Sequence, residues 1–205
     1  MTPKVEFHFD FGSPNAYFSH MVIPGIEQRT GVKFDYVPIL LGGVFKLTNN
    51  TPPMVQFKDV KAKSDYMRIE IVRFIKKHAL TKFRMNPHFP VNTVQIMRGA
   101  VAAQMDGQFP KYADAVFKHM WEDGLKMDDP EVIRAALDAA GLDGTGVLGR
   151  IQQQDIKDRL LKNTEASVAR GTFGVPTFFV GTEIFFGKDK LRDVEDEIEA
   201  VKNRA

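Results

Sequence analysis

The sequence predicts an α/β fold interrupted in its middle by a helical domain. Three observations carry this reading. The first forty residues run strand, helix, strand; a long central stretch has helical periodicity and no convincing strand; and after about residue 172 the chain returns to two short apolar strands and a closing helix.

Residues 4–10, KVEFHFD, alternate in polarity and carry β-branched and aromatic side chains, as a strand requires. Ser13 and Pro14 follow. Serine is a good N-cap, and proline fits the first helical turn because its missing N–H has no partner there. That helix runs to about Arg29, with Gly31 closing it. VKFDYVPILL supplies a second strand, bent at Pro38.

From Gly42 the character changes. GGVFKLTNNTPP is rich in turn formers and reads as a loop. Helices are expected at about 56–78, 93–106, 110–122, 130–140 and 155–170. Asp129-Pro130 starts the fourth, Gly141 ends it, and Gly171 ends the last. VPTFFVG and TEIFFG then form a hairpin across Gly181-Thr182. The tail is an amphipathic helix with Leu191, Val194, Ile198 and Val201 on one face. Residues 1–41 with 172–205 make one expected domain, and 42–171 the all-helical insertion. The order β-α-β, insertion, β-β-α is that of a thioredoxin-like fold.

Composition narrows the function. With 43% apolar and 26% charged residues, the chain reads as an ordinary soluble globular protein. A net charge of +2 is too small to point to nucleic acid or a membrane surface. Lys58, Lys61, Lys63, Arg68, Arg73, Lys76 and Lys77 form a basic stretch, but Asp59, Asp65 and Glu70 interrupt it, as on a solvated helix face. No apolar run is long enough to span a bilayer, and the N-terminus has no charged region followed by an apolar one. A cytoplasmic location is expected. The absence of cysteine excludes disulfides, thiolate metal sites and a cysteine nucleophile. No histidine and carboxylate spacing suggests a metal site.

Three motifs could carry chemistry. Ser13 is a helix cap whose hydroxyl also has a proton to donate. An anion at a helix N-terminus meets free N–H groups and the positive end of the dipole, and a thiolate there has a lowered pKa. As a nucleophile Ser13 would need a base, yet His8, His20, His78, His88 and His119 are scattered and form no triad signature. Pro176, in Val175-Pro176-Thr177, is either a plain strand entry or a cis proline that leaves the Val175 backbone free to pair with a ligand peptide. Gly144-x-Gly146-x-x-Gly149 matches the dinucleotide fingerprint in letters but follows no strand, so it reads as a loop.

Together FDFGSPNAYF, GGVFK with the following NN and PP, KAKSDY, GVPTFFV and FFGKDKL resemble the kappa-class glutathione transferases. Within that group they are most similar to the 2-hydroxychromene-2-carboxylate isomerases, in the DsbA-like branch of the thioredoxin superfamily. The resemblance covers essentially the whole chain in the correct order. It implies a thioredoxin-like (DsbA-like) domain with a helical insertion, glutathione as cofactor, a small aromatic carboxylate as substrate, and a homodimer. Ser13 matches the serine at the glutathione sulfur. Val175, before Pro176, matches the residue whose backbone pairs with the cysteinyl unit. Asn50 matches an asparagine that contacts glutathione, and Lys188-Asp189 the segment that holds its γ-glutamyl end. Lys46 and Lys58 match basic positions near the substrate carboxylate, and Thr93 stands where these isomerases have a tyrosine. The Phe- and Met-rich insertion is expected to line an apolar aryl pocket. The family's alternative chemistry is glutathione transfer or peroxidation; a non-catalytic binding module is the other reading of a cysteine-free chain.

Overall fold

The computed structural model describes residues 2–204. Four strands, β1 (Val5–Phe9), β2 (Phe34–Pro38), β3 (Thr177–Val180) and β4 (Glu183–Phe186), form one sheet in the order β2-β1-β3-β4. The helices are α1 (Pro14–Thr30), α2 (Leu41–Thr48), α3 (Pro53–Gln56), α4 (Lys61–Lys77), α5 (Val94–Met105), α6 (Phe109–Trp121), α7 (Pro130–Ala139), α8 (Gly144–Arg150), α9 (Gln154–Ala169) and α10 (Leu191–Arg204). β1 pairs parallel with β2 and antiparallel with β3, and β4 returns along β3 as a hairpin. Gly181 supplies the positive φ, 60°, that the hairpin turn requires.

Every residue of β1 is buried. Strand alternation sends Phe7 and Phe9 to one face and Glu6, His8 and Asp10 to the other. On the first face Phe7 stacks on Phe178 at 5.2 Å, and Phe9 meets Phe117 of α6 at 5.8 Å. The core continues from there through Phe18 and Ile23 of α1, Met97 of α5 and Val194 of α10. The sheet and the helices of the central stretch therefore share a large apolar core, with a second, smaller one at Ile39, Val44 and Val175.

The second face sets the polar side chains of β1 beside Phe179 and a small apolar cluster of Ile39, Val44 and Val175, with α2 and α9 packed over it. Glu6 is gripped by Arg170 at 2.6 Å and Lys4 at 2.9 Å. His8 Nδ1 lies 2.8 Å from Ser167 Oγ, and Ser167 donates onward to Thr172 at 2.7 Å. Nδ1 therefore carries the proton, and Nε2 is left buried without a partner. At the outer edge, Glu27 accepts from the Phe34 N–H, while Gln104 and Asn163 donate to the Tyr36 and Pro38 carbonyls. Side chains thus occupy backbone groups of β2 that another strand would need.

The structure revises three segment readings. GGVFKLTNNTPP is not all loop, since it holds α2 and the start of α3. Two adjacent glycines hide the helix, but Gly43 lies where a Cβ would be 3.2 Å from Thr164, so a bulkier residue would push α9 away. Residues 144–149 are helical, capped by Asp143, which accepts from the Gly146 N–H at 2.8 Å. A Cβ at Gly144 would fall 2.5 Å from the Arg134 carbonyl, so that glycine serves helix packing, not phosphate. The helix expected at 56–78 is split into α3 and α4 by the turn at 57–60.

Burial pushes the His8 imidazole down to about 4. The unfolded chain binds the proton more readily, so the stability held above the ordinary histidine pKa is lost as pH falls from about 6.5 toward about 4. The loss amounts to at most roughly 3 kcal/mol. In urea titrations across that window, wild type should lose more unfolding free energy than His8→Gln. Parallel losses would remove His8 as the cause.

Candidate active site

The chain ends β1, turns at Phe11-Gly12, and starts α1 with Ser13 as N-cap. The serine is in the extended conformation and 6% exposed. Its Oγ accepts from the Ala16 N–H at 3.3 Å and donates to the Val175 carbonyl at 3.4 Å. Both contacts are long for their type, so the hydroxyl proton can be redirected at little cost. The Val175-Pro176 peptide is cis. Residues 162 positions apart in sequence thus meet at one helix N-terminus.

The loop around Val175 is tied from several sides. Asn50 Nδ2 donates to the Phe173 carbonyl at 2.9 Å, and its Oδ1 accepts from the Thr51 N–H. Thr177 Oγ1 donates to the Gly174 carbonyl at 2.8 Å, and the Gly187 N–H donates to the Pro176 carbonyl at 2.9 Å. Asn50 and Gly187 are therefore bonded to the loop that carries Val175 and Pro176.

Beneath Ser13 sits a carboxyl group that the sequence reading missed. Asp10 is 1% exposed; one oxygen accepts from the Gly12 N–H at 2.9 Å and the other from the Leu41 N–H at 2.8 Å. It locks the turn before α1 to the start of α2. Burial pushes its pKa up, against the opposing pull of those N–H groups and the Thr93 hydroxyl. The D-x-x-S-P spacing was the available signal, since a carboxylate three residues before an N-cap can reach the turn's free N–H groups. Thr93, before α5, packs over Gly12 so closely that a Cβ there would stand 3.0 Å from its Cγ2. It lies at the Ser13 end of the sheet.

The other expected residues lie less centrally. Lys188 is 4% exposed, its Nζ 2.6 Å from Asp189 and 4.8 Å from the Phe74 ring, so the two charges of this pair face each other. Lys46 on α2 and Lys58 after α3 are exposed, and no contact ties either to Ser13. In the 42–171 stretch, Phe74, Met97, Phe117 and Met120 are buried in the core, while Phe109 is half-buried. Two grooves, about 480 and about 500 Å³, run along β2 through Tyr36, Gln104 and Phe109, and Ser13 lines neither.

The chemistry available is anion stabilisation. The α1 N-terminus offers its dipole, Ser13 a lightly held proton, and the Val175 loop a braced main chain.

Residues 4–199 match the DSBA-like thioredoxin domain. The chain belongs to that family. Its sequence is similar to 2-hydroxychromene-2-carboxylate isomerase from Pseudomonas putida, 26% identical over 189 residues, covering 91% of this chain and 90% of that protein. It is also similar to glutathione S-transferase kappa 1 from Rattus norvegicus, 25% identical, with 92% and 88% covered. Among solved structures, a 2-hydroxychromene-2-carboxylate isomerase superposes with a TM-score of 0.81 at 25% identity, covering 98% of this chain and 96% of that one. A probable DsbA oxidoreductase from Streptomyces coelicolor shares the fold, with a TM-score of 0.76 at 15% identity. The relatives named here are isomerases and glutathione transferases, and among the described residues no helix is long and apolar enough to cross a membrane.

Removing the cap tests the local geometry. Ser13→Ala should cost about 1 kcal/mol of unfolding free energy, and Ser13→Gly only a few tenths. Equal losses in chemical denaturation would mean that the hydroxyl caps nothing.

Proposed function

We propose that this protein is a glutathione-dependent cis-trans isomerase acting on an aryl-pyruvate of the 2-hydroxychromene-2-carboxylate and trans-o-hydroxybenzylidenepyruvate type. The observation that carries the reading is Ser13, a lightly held hydroxyl at a helix N-terminus against the Val175 main chain, in a chain with no cysteine of its own. The residues fit glutathione: an anion-favouring helix start meets a braced loop able to receive a short peptide. When bound, glutathione supplies a thiolate that adds to a conjugated carbon and leaves again after rotation about the former double bond.

The protein's part is electrostatic. Ser13 turns its hydroxyl from Val175 to the sulfur, and the α1 dipole favours the anion there. Val175, Pro176 and Asn50 hold the peptide, with Asp189, and Lys188 beside it, at its γ-glutamyl end. Lys46 and Lys58 take the substrate carboxylate and the enolate charge that develops beside it, and Thr93 borders the substrate. The protein works as a homodimer in the cytoplasm, within the breakdown of aromatic compounds.

A second reading, glutathione transfer to other electrophiles, is favoured by the kappa-class relatives. It uses the same site but consumes glutathione.

Calorimetric titration of glutathione into wild type and Ser13→Ala, with thiolate absorbance followed across pH, tests the proposal. Wild type should bind and lower the thiol pKa, and the variant should hold about tenfold less thiolate near neutrality. Turnover with glutathione recovered supports isomerisation; stoichiometric consumption supports transfer. A wild type indifferent to glutathione would sink both and leave a binding module.

A further inference from the structure

Of the chain's 17 phenylalanines, two appear among the exposed large apolar residues: Phe173 at 44% and Phe186 at 43%. They touch each other, ring centroids 4.4 Å apart. They also flank the Val175-Pro176 peptide: Phe173 precedes Val175 by two residues, and Phe186 pairs with Thr177, the residue after Pro176.

Their placement is built into the loop. Asn50 holds the Phe173 carbonyl at 2.9 Å. Gly174 makes room for the Phe186 ring, since a Cβ there would stand 2.9 Å from its Cε2. The Gly187 N–H, next in sequence to Phe186, donates to the Pro176 carbonyl at 2.9 Å. Two rings fixed open to water forgo apolar burial that a flat ligand would restore.

We propose that Phe173 and Phe186 form the platform on which the aryl ring of the substrate rests, and so set specificity for aromatic over aliphatic substrates. This rests on the isomerase reading above. Continuity with the site argues for that occupant. The pair shares a loop with the Val175 carbonyl that meets Ser13, and the two-residue step through the bend at Gly174 keeps the Phe173 and Val175 Cα atoms within roughly 7 Å of each other. The carbon that takes up the thiolate is bonded to the aryl ring itself, so placing that carbon at a sulfur beside Ser13 puts the ring beside the same loop. Phe74 and Phe117 of the inserted helices, packed in the core, are not available for that role. Offset or edge-on contact with two aromatic faces suits a planar conjugated acid.

The test uses the full chain with Phe173→Ala, Phe186→Ala and the apolar controls Phe173→Leu and Phe186→Leu. With glutathione present, each alanine variant should raise KM for the aryl-pyruvate about tenfold, with glutathione affinity and turnover of an aliphatic unsaturated keto acid unchanged. The leucine variants should lie between. Unchanged KM overturns the proposal, as does an equal loss with the aliphatic acid. A change in sedimentation with unchanged KM also overturns it, because a second copy would then cover the rings. Cinnamate binding followed by NMR separates this idea from the glutathione reading. If wild type ignores glutathione but the alanine variants lose cinnamate about tenfold, the platform stands and the cofactor reading fails; cinnamate binding that the variants leave unchanged removes the platform in either case.

Discussion

Three polar side chains of β1 and its C-terminal end need partners in a buried setting, and the arrangement of this protein follows from how those are supplied, with His8 Nε2 the one atom among them left unpaired. Glu6, His8 and Asp10 alternate with the Phe7 and Phe9 that build the core on the other face. A buried polar group left unpaired costs on the order of 1–3 kcal/mol. Glu6 therefore draws Arg170, His8 draws Ser167 from α9, and Asp10 draws the Leu41 N–H that begins α2. Helices that touch the sheet this way cannot slide without stranding a buried group.

Asp10 carries that constraint into the site. Its two oxygens join the turn before Ser13 to the first N–H of α2, the helix that bears Lys46 and leads to Asn50. Asn50 in turn holds Phe173, in the loop whose Val175 carbonyl meets Ser13. The site is a closed circuit of hydrogen bonds among segments far apart in sequence, the Ser13–Val175 contact being its longest. Such a frame fixes the N-terminus of α1 and its buried, lightly held cap.

Low identity with whole-chain coverage fits this view. The relatives share only about a quarter of their residues with this chain, yet align over nine-tenths of it. A framework of alternation, caps and buried pairs tolerates wide exchange at other positions. The fold is also that of a probable DsbA oxidoreductase. With serine at the α1 N-cap and no cysteine elsewhere, this chain has no thiol of its own to exchange.

Much was legible in the sequence because it depends on local rules. Alternation exposed β1, Ser13-Pro14 and Gly31 bracketed α1, and the Gly181-Thr182 step marked the hairpin. The motif order indicated the fold family and the Ser13 and Val175 positions. Local rules failed at the paired glycines of α2 and the Gly144 to Gly149 run, which looked like loops but are helical, with Gly43 packed toward Thr164 of α9 and Gly144 against Arg134 of α7. Asp10 was silent because a carboxylate's burial depends on what covers it. Only the tertiary structure bonded Asn50 and Gly187 to the loop of Phe173 and Pro176 and turned Phe173 and Phe186 outward while Phe74 and Phe117 went inward. An apolar residue reads the same in sequence whether it fills a core or waits for a ligand, and the choice belongs to the elements packed around it.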